Sequence, residues 1–233
     1  MTTQRIRAYF AKRERVRYIS HLDVLRYWER AIRRAGLPLS YSQGFTPHPK
    51  LQFAGPLPLG YLAEREVMDI SFDERIELDE FRLRVAGQTV PDLPLIDAEE
   101  IPLSTPPAQA AALWGDYLVE VPDAGHERAE LECGRFLALE SLEWTEERRD
   151  RQRVYDLRVA VASLAVLPPG TEDEPVSLRM RLSATPDFMV RPEPVITALF
   201  GDVAAGNITR ERLLFERVSP ALDAWRRKGR FDG

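Results

Sequence analysis

The sequence predicts an α+β protein built from two halves that share one order of elements. Apolar residues alternate with a period of two at 5–12 and again at 114–121, which is typical of strands, and a helical pattern follows each. A proline- and alanine-rich stretch at 104–112 separates the halves, as in a linker. Each half has the order strand–helix–strand–strand–helix–strand, the ferredoxin-like pattern. We therefore expect two tandem ferredoxin-like domains and a basic tail, at 1–103, 113–218 and 219–233.

The elements of the first half follow from periodicity and helix-end signals. In the strand at 5–12, Ile6, Ala8 and Phe10 share one face. Ser20 begins a helix to about residue 35, because Asp23 three positions later forms a variant of the capping box. Gly36 suits the left-handed end of that helix. Helical spacing places on its core face Leu22, Leu25, Trp28 or Glu29, Ile32 and Ala35. The other predicted elements are strands at 51–53, 66–72 and 95–101 and a helix at 78–88.

The second half repeats this order with little shared sequence. Predicted strands at 114–121 and 208–216 flank helices at 126–140 and 192–200. Between the helices, alternating apolar residues at 154–167 and 176–184 predict a hairpin.

The charge of the chain is unevenly distributed. The net charge is −5, yet residues 1–50 hold eleven Lys/Arg against three Asp/Glu, a local balance of +8, which leaves −13 for the rest. Such asymmetry favours a basic binding face on an acidic body, although arginines that only solvate a helix explain it equally well.

Composition excludes several classes of protein. The one cysteine and three histidines make a poor zinc set and cannot hold a multi-cysteine iron–sulfur cluster, so we expect no metal and no cofactor in this chain. No apolar run is long enough to cross a membrane, and the first residues lack a signal-peptide core, which predicts a cytoplasmic protein. Glycine-loop and nucleophile-turn motifs are also missing from the sequence.

Two basic or polar segments of the first half are candidates for binding. On the predicted first helix, an arginine face suits phosphate because guanidinium grips phosphate with two hydrogen bonds; it consists of Arg26, Arg30, Arg33 and Arg34. The 40–50 loop, S-Y-S-Q-G-F-T-P-H-P-K, carries hydroxyl, amide, aromatic, imidazole and ammonium groups between rigid prolines. Its candidate ligand-binding residues are Tyr41, Ser42, Gln43, Phe45, His48 and Lys50. Aromatic side chains among basic ones favour single-stranded nucleic acid, whereas a solvated helix face with core aromatics is the alternative.

Two histidines are candidates for chemistry. His21 lies in the first helical turn, where exposed amides, Ser20 and nearby arginines could hold a phosphate. His48 neighbours Lys50, a cation that favours the neutral ring. We expect the two imidazoles to lie in or beside one pocket. The alternatives are an incidental histidine near a helix cap and a loop histidine bonded to backbone.

The run Y-I-S-H-L-D-V-L-R-Y-W-E-R-A-I-R-R-A-G-L-P-L-S-Y-S-Q-G-F-T-P-H-P-K resembles the hallmark of a bacterial radical SAM-linked family. The likeness continues through L-Q-F-A-G-P-L-P-L-G and returns at V-R-P-E-P-V-I-T-A-L-F-G. Members of that family occur fused to, or encoded beside, a radical SAM protein, often near genes for RNA processing and ribosomal proteins. The resemblance implies a radical SAM partner, which would carry the iron–sulfur cluster and S-adenosylmethionine. It also implies an RNA or ribosome-associated substrate.

A looser resemblance is to the repeat-processing endoribonucleases of CRISPR systems, which use histidine with tyrosine or lysine and no metal. Tyr18, His21, His48 and Lys50 could play those catalytic parts, but the chain lacks the glycine-rich loop near the C-terminus that those enzymes commonly have. The first expectation is therefore a non-catalytic, RNA-associated accessory protein of a radical SAM enzyme. The alternatives are a metal-independent endoribonuclease or other RNA-acting enzyme, and a docking module that contacts no RNA.

Overall fold

A computed structural model describes residues 2–148, 151–169 and 174–215 of the chain. The polypeptide divides into two compact units. Unit 1 comprises Met1–Ala112 together with Thr209–Leu213, and unit 2 comprises Leu113–Ile208 and continues from Leu214. Both units combine helices with mostly antiparallel strands, so the α+β prediction is confirmed. The predicted basic tail at 219–233 lies outside the described residues.

Unit 1 is built on a sheet whose strands pair antiparallel in the order β4-β1-β3. Its elements are β1 (Gln4–Lys12), α1 (His21–Arg34), β2 (Leu51–Phe53), β3 (Leu62–Phe72), α2 (Leu78–Ala86), β4 (Leu95–Ile101) and α3 (Ala108–Ala111). On its other edge β3 pairs with β2 and, in parallel, with Thr209 and Arg210 of a late strand. The late strand thereby brings a distant arginine into the first unit.

The core of unit 1 lies between the sheet and the helices α1 and α2. Ile6, Ala8 and Phe10 are buried, as alternation predicts. From α1, the side chains of Val24, Trp28, Ala31 and Ile32 are buried. Ser20 accepts a hydrogen bond from the Asp23 amide at 3.2 Å, which confirms the predicted helix start, and Gly36 adopts φ +66° just beyond the helix end.

One predicted core position of α1 is wrong. Leu22 is 59% exposed. Because Val24 and Trp28 set the buried face, a residue two positions before Val24 points about 200° away from it. The apolar residues of the first turn are compatible with two helix faces, and packing selects the one that holds Trp28.

The predicted linker at 104–112 contains structure. It includes the short helix α3, and both Ala108 and Ala112 are buried. The Ala108 amide donates a 2.7 Å hydrogen bond to a carboxylate oxygen of Asp69 on β3, while Arg7 of β1 holds the same carboxylate at 2.8 and 3.1 Å. Proline and alanine composition predicted a spacer, whereas the buried carboxylate fixes this segment to unit 1.

Unit 2 contains β5 (Trp114–Val121), α4 (His126–Ala138), β6 (Glu143–Arg148), β7 (Arg151–Asp156), β8 (Val161–Val166), β9 (Val176–Ser183) and α5 (Pro192–Phe200). The chain returns in β10 (Ile208–Leu214), the late strand that also pairs with β3. Strands β5, β9 and β8 pair antiparallel in that order, and β6 and β7 form a separate hairpin.

The single strand predicted at 154–167 is wrong. It is divided into β7 and β8, because the carboxylate of Asp156 accepts hydrogen bonds from the amides of Leu142, Arg158 and Val159. An aspartate that binds backbone amides stabilises a turn in place of a continuous strand. Strand β6, the partner of β7, was not predicted. Among the described residues, no helix combines the length and apolar content needed to cross a membrane.

Candidate functional surface on unit 1

The arginine face of α1 forms one side of an open depression. Arg26, Arg30 and Arg34 line a space of about 410 Å³ together with Asp23 and Tyr27. These arginines lie one helical turn apart and are exposed, as is Arg33, which is not among the lining residues. The structure therefore brings three of the four predicted arginines to one concave surface.

The four guanidinium groups of this face differ in their partners. Arg26 is 3.3 Å from the carboxylate of Asp23, and Arg34 donates to the side chain and the carbonyl oxygen of Gln88 at 3.2 and 3.0 Å. Within the described part of the chain, neither Arg30 nor Arg33 has a side-chain hydrogen bond or ion pair. Two cations of the face are thus available for an anion without the loss of an internal contact.

The floor of the depression is held by Tyr27. Its hydroxyl accepts a hydrogen bond from the Val90 amide at 2.7 Å and donates to the Leu93 carbonyl at 3.3 Å. The ring also packs edge-on against buried Trp28, with centroids 5.4 Å apart. Tyr27 is therefore a fixed aromatic residue beside the exposed arginines of the depression.

The base of the 40–50 loop is anchored to β3. Ser40 donates its amide to the Ser71 carbonyl, and Ser71 donates its amide to the Lys50 carbonyl, at 2.9 and 3.0 Å. Higher in the loop, Ser42 donates its amide to the His48 carbonyl, and the His48 amide donates to the Ser42 hydroxyl, both at 2.9 Å. The hydroxyl of Ser42 therefore closes the loop, and the imidazole of His48 is exposed.

The tip of the same loop presents an aromatic ring to solvent. Phe45 is fully exposed and Tyr41 is 38% exposed. Gly44, at φ +140°, precedes the phenylalanine in a backbone conformation that L side chains rarely adopt. Gln43 is also exposed.

A hydroxyl network stabilises the foot of the loop. The Ser40 hydroxyl donates to a carboxylate oxygen of Asp73 at 2.6 Å and lowers the pKa of that carboxyl. The Lys50 ammonium donates to the hydroxyl of Thr2 at 3.2 Å, and Thr2 in turn donates to Ser40 at the same distance. Lys50 consequently lies at the foot of the loop, away from its tip.

A separate cavity lies beside His21. Apolar side chains form most of its wall, and Lys12, His21 and Glu66 provide its polar groups; the other lining residues are Phe10, Ile19, Val24, Phe53, Gly55 and Leu57. The imidazole packs edge-on against Phe53 with centroids 5.0 Å apart. Burial is the main cause that lowers the pKa of His21. The negative charge of Glu66 opposes this effect and the positive charge of Arg210 adds to it, and the net lowering favours the neutral ring.

The buried charges next to this cavity were not predicted as a site. Arg210 is fully buried and holds both carboxylate oxygens of Glu66 at 2.6 and 2.5 Å. Lys12 is 3% exposed, and its ammonium donates to the Arg17 carbonyl at 2.7 Å. Alternation contained a partial signal, because Lys12 follows Ile6, Ala8 and Phe10 on the inward face of β1.

The histidine, lysine and tyrosine predicted for endoribonuclease chemistry have different surroundings. His21 lines the cavity, whereas His48, Lys50 and Tyr18 are not among its lining residues. The base of the 40–50 loop is hydrogen-bonded to Ser71 of β3. Glu66, which lines the cavity, lies five residues earlier on the same strand, about 17 Å from Ser71. Tyr18 is 73% exposed, with the Arg17 guanidinium 5.6 Å from its ring centre.

Other reactive groups are sparse in the described parts of the chain. No three His, Cys, Asp or Glu residues there lie close enough together to hold a metal ion. Cys133 is buried, and burial raises the pKa of its thiol to about 11. It therefore lacks the thiolate character of a reactive cysteine.

Solved structures with a similar chain trace come from protein and ribonucleoprotein complexes. They are a Cbf5–Nop10–Gar1 complex (12% identity, TM-score 0.46), an H/ACA ribonucleoprotein bound to a substrate RNA containing 2′-deoxyuridine (13%, 0.44) and an archaeal box H/ACA Nop10–Cbf5 complex (12%, 0.43). Each match covers 88% of this chain but only 48%, 47% and 47% of the other, so the chain spans about half the length of the chains it matches.

None of the curated proteins is significantly similar to this chain. A family model does match, over residues 5–192, and its description is "Uncharacterized protein conserved in bacteria (DUF2344)". Since that match spans well over half of the sequence, the chain belongs to this family of bacterial proteins.

Proposed function

We propose that this protein is an RNA-associated accessory protein of a radical SAM enzyme, with no catalytic activity of its own. In this proposal the arginine face of α1 holds the phosphates of a single RNA strand in the depression beside Tyr27. The protein acts in the cytoplasm and positions RNA, or an RNA-bearing substrate, for its partner.

The observation that carries the RNA proposal is the concave cluster of exposed arginines. Three arginines line one depression of about 410 Å³, and Arg30 makes no side-chain hydrogen bond or ion pair within the described residues that it would have to give up. Guanidinium forms paired hydrogen bonds with phosphate oxygens, and phosphate contacts dominate nucleic-acid affinity. The surplus of positive charge in residues 1–50 extends the attraction beyond the depression.

Exposed aromatic rings support a single strand over a duplex. Phe45 at the tip of the 40–50 loop and Tyr18 before α1 are both largely exposed. Unpaired bases stack on such rings, whereas bases within a duplex are already stacked. We therefore expect unstructured RNA to bind more tightly than double-stranded RNA.

The radical SAM partner is proposed from the sequence resemblance alone. A chain with one buried cysteine cannot itself bind a cluster that needs several cysteine ligands. The partner would therefore carry both the iron–sulfur cluster and S-adenosylmethionine. Co-purification of the native protein, with identification of bound proteins and RNA, tests this part separately.

We also propose that the units are tandem ferredoxin-like domains. The antiparallel order β4-β1-β3-β2 in unit 1 supports this interpretation. Unit 2 departs from the simple pattern because the β6–β7 hairpin is added between α4 and β8.

Charge reversal tests the RNA proposal. The variant Arg26→Glu/Arg30→Glu/Arg34→Glu should lose binding to a fluorescein-labelled 20-nucleotide oligouridylate, measured by fluorescence anisotropy. The matched control is Arg135→Glu/Arg179→Glu/Arg191→Glu, which changes the net charge equally at exposed arginines of unit 2. Equal binding by the two variants would contradict the proposal.

A metal-independent endoribonuclease is the second candidate, because His21 is held neutral beside Lys12 and Glu66. A neutral imidazole can act as a general base. Cleavage of RNA by the purified chain in EDTA, lost on His21→Ala, would favour this candidate. Absence of both cleavage and RNA binding would favour a docking module that presents Phe45 to a protein.

A further inference from the structure

The His21 cavity is lined by both polar and apolar side chains. Water-sized molecules can occupy about 20 Å³ of it, and its total empty volume, open solvent included, is about 300 Å³. An enclosed space of about that size accommodates one water molecule or one small polar group. The apolar part of its lining is formed by Phe10, Ile19, Val24, Phe53 and Leu57.

The ammonium of Lys12 has unused hydrogen-bonding capacity in this cavity. A lysine ammonium has three donors, and the only hydrogen bond of the Lys12 ammonium within the described residues goes to the Arg17 carbonyl. The side chain is 3% exposed, so bulk water does not serve the other two donors freely. A buried cation with unmet donors is costly unless an acceptor reaches it.

The net charge of Lys12, Glu66 and Arg210, which lie in or beside the cavity, is positive. Glu66 is neutralised by the bidentate contact with Arg210, and the Lys12 ammonium has no ion pair at 4 Å or less in the described chain. Burial lowers the pKa of Lys12, and the more distant charge of Glu66 offsets only part of that lowering. A β-bulge between Phe10 and Lys12 shifts the register of β1 against β3. Bulges re-aim side chains and occur next to functional sites, and here the bulge places Lys12 on the same cavity as Glu66.

We propose that the His21 cavity binds a small organic carboxylate. The carboxylate group of this ligand accepts hydrogen bonds from the two remaining donors of the Lys12 ammonium. The apolar remainder of the ligand packs against Phe53, Ile19 and Leu57. The neutral imidazole of His21 lies beside the apolar part of the ligand and can pack against it.

Other ligand classes fit the cavity less well. A cation would be repelled by the surplus positive charge, and inorganic phosphate would leave the apolar wall unused. A nucleobase would present only neutral edges to an ammonium. An organic carboxylate accepts the hydrogen bonds of Lys12, neutralises the surplus positive charge and contacts the apolar side chains.

Benzoate is the test ligand, and methyl NMR of the full-length protein locates it. Benzoate should shift the methyl signals of Ile19, Val24 and Leu57 in a saturable manner, while those of Val195 and Ile196 in unit 2 stay unchanged. Benzamide, which has the same ring without the charge, should bind at least about tenfold more weakly, because hydrogen bonds to charged groups are the stronger ones. Lys12→Met, which keeps a long unbranched side chain but removes the ammonium, should weaken benzoate binding by a similar factor.

The controls separate this proposal from the RNA proposal. The charge-reversal variant of the arginine face should bind benzoate like the wild type, so failure of one proposal does not imply failure of the other. Equal binding of benzoate and benzamide, or retention of benzoate binding by Lys12→Met, would overturn the carboxylate site. Shifts of the same methyl groups by uridine, and not by benzoate, would instead assign the cavity to a base. If Lys12→Met does not fold, the comparison of benzoate with benzamide on the wild type still decides.

Discussion

His21 lies at the start of α1, a position that suggests anion binding, but its surroundings favour contact with an apolar group. The first turn of α1 offers exposed amides, which favour an anion. The ring, however, packs against Phe53 and is half-buried over an apolar cavity. Burial favours the uncharged imidazole, so contact with an apolar group is the more consistent role.

The ionisation of His21 gives a prediction at this scale. Because burial lowers its pKa in the folded state below the ordinary 6.5, the unfolded chain binds the proton more tightly. Neutral His21 therefore makes its full contribution to the free energy of unfolding at a pH above the His21 pKa of the unfolded chain. That contribution is lost as the pH falls from about 6.5 through the His21 pKa of the folded protein. NMR titration of the imidazole signals should give a pKa for His21 below 6.5.

The variant His21→Phe supplies the control for that titration. It should flatten the dependence of the unfolding free energy on pH between about 7 and 5, measured by urea unfolding. His48→Phe should leave the His21 titration unchanged, since the two rings have different surroundings. A His21 pKa at or above 6.5 would contradict the burial that the structure assigns to this ring.

Elements of unit 1 are connected by buried carboxylates as well as by the apolar core. Asp69 of β3 binds Arg7 of β1 through two hydrogen bonds and also accepts the amide of Ala108 at the start of α3. One side chain thus joins two strands and the segment that precedes unit 2. Loss of this acceptor would remove both hydrogen bonds between Asp69 and the buried Arg7 guanidinium and would leave the Ala108 amide without its carboxylate acceptor.

Asp69→Ala should therefore destabilise unit 1 by about 3–5 kcal/mol, the typical cost of breaking a buried ion pair. Amide hydrogen exchange should show faster exchange at Ala108 than in the wild type. Asp97→Ala is the matched control, because its ion pairs with Arg65 and Arg82 are half-exposed and should contribute about 1 kcal/mol or less. Equal losses in the two variants would contradict the role of Asp69.

Local patterns predicted most elements of unit 1 and part of its surface. Alternation and capping signals act over a few residues, so β1, α1 and the exposed arginine face were accessible from sequence. The sequence predicted the buried face of α1 only in part. Leu22 and Val24 are both apolar, and only the packing of Trp28 determines which of the two is buried. The cluster of Lys12, Glu66 and Arg210 was not accessible, since its ion pair joins residues 144 positions apart.

At the scale of the whole molecule, the two units are not consecutive in the chain. Residues Thr209–Leu213 belong to unit 1, although they follow nearly all of unit 2. They supply Arg210, the buried partner of Glu66. The first unit is therefore complete only when the late strand is present.

This arrangement predicts that a chain ending at residue 112 is much less stable than unit 1 in the full-length protein. It leaves Glu66 as a buried carboxylate without its arginine, a loss of about 3–5 kcal/mol by itself. Glu66→Gln should recover part of that loss in the truncated chain while destabilising the full-length one. Urea unfolding followed by circular dichroism measures both effects, and a truncated chain as stable as the intact unit would contradict the assignment of Arg210 to unit 1.

The salt dependence of RNA binding tests the central claim, which is that the arginine face of α1 contacts phosphates. For a single strand, the logarithm of affinity falls with the logarithm of salt concentration by about 0.7 for each phosphate neutralised. We expect Arg30→Gln to reduce that slope by about 0.7, and Arg135→Gln of unit 2 to leave it unchanged, for the same labelled oligouridylate. An unchanged slope in Arg30→Gln, or an equal reduction in both variants, would show that the RNA is held elsewhere.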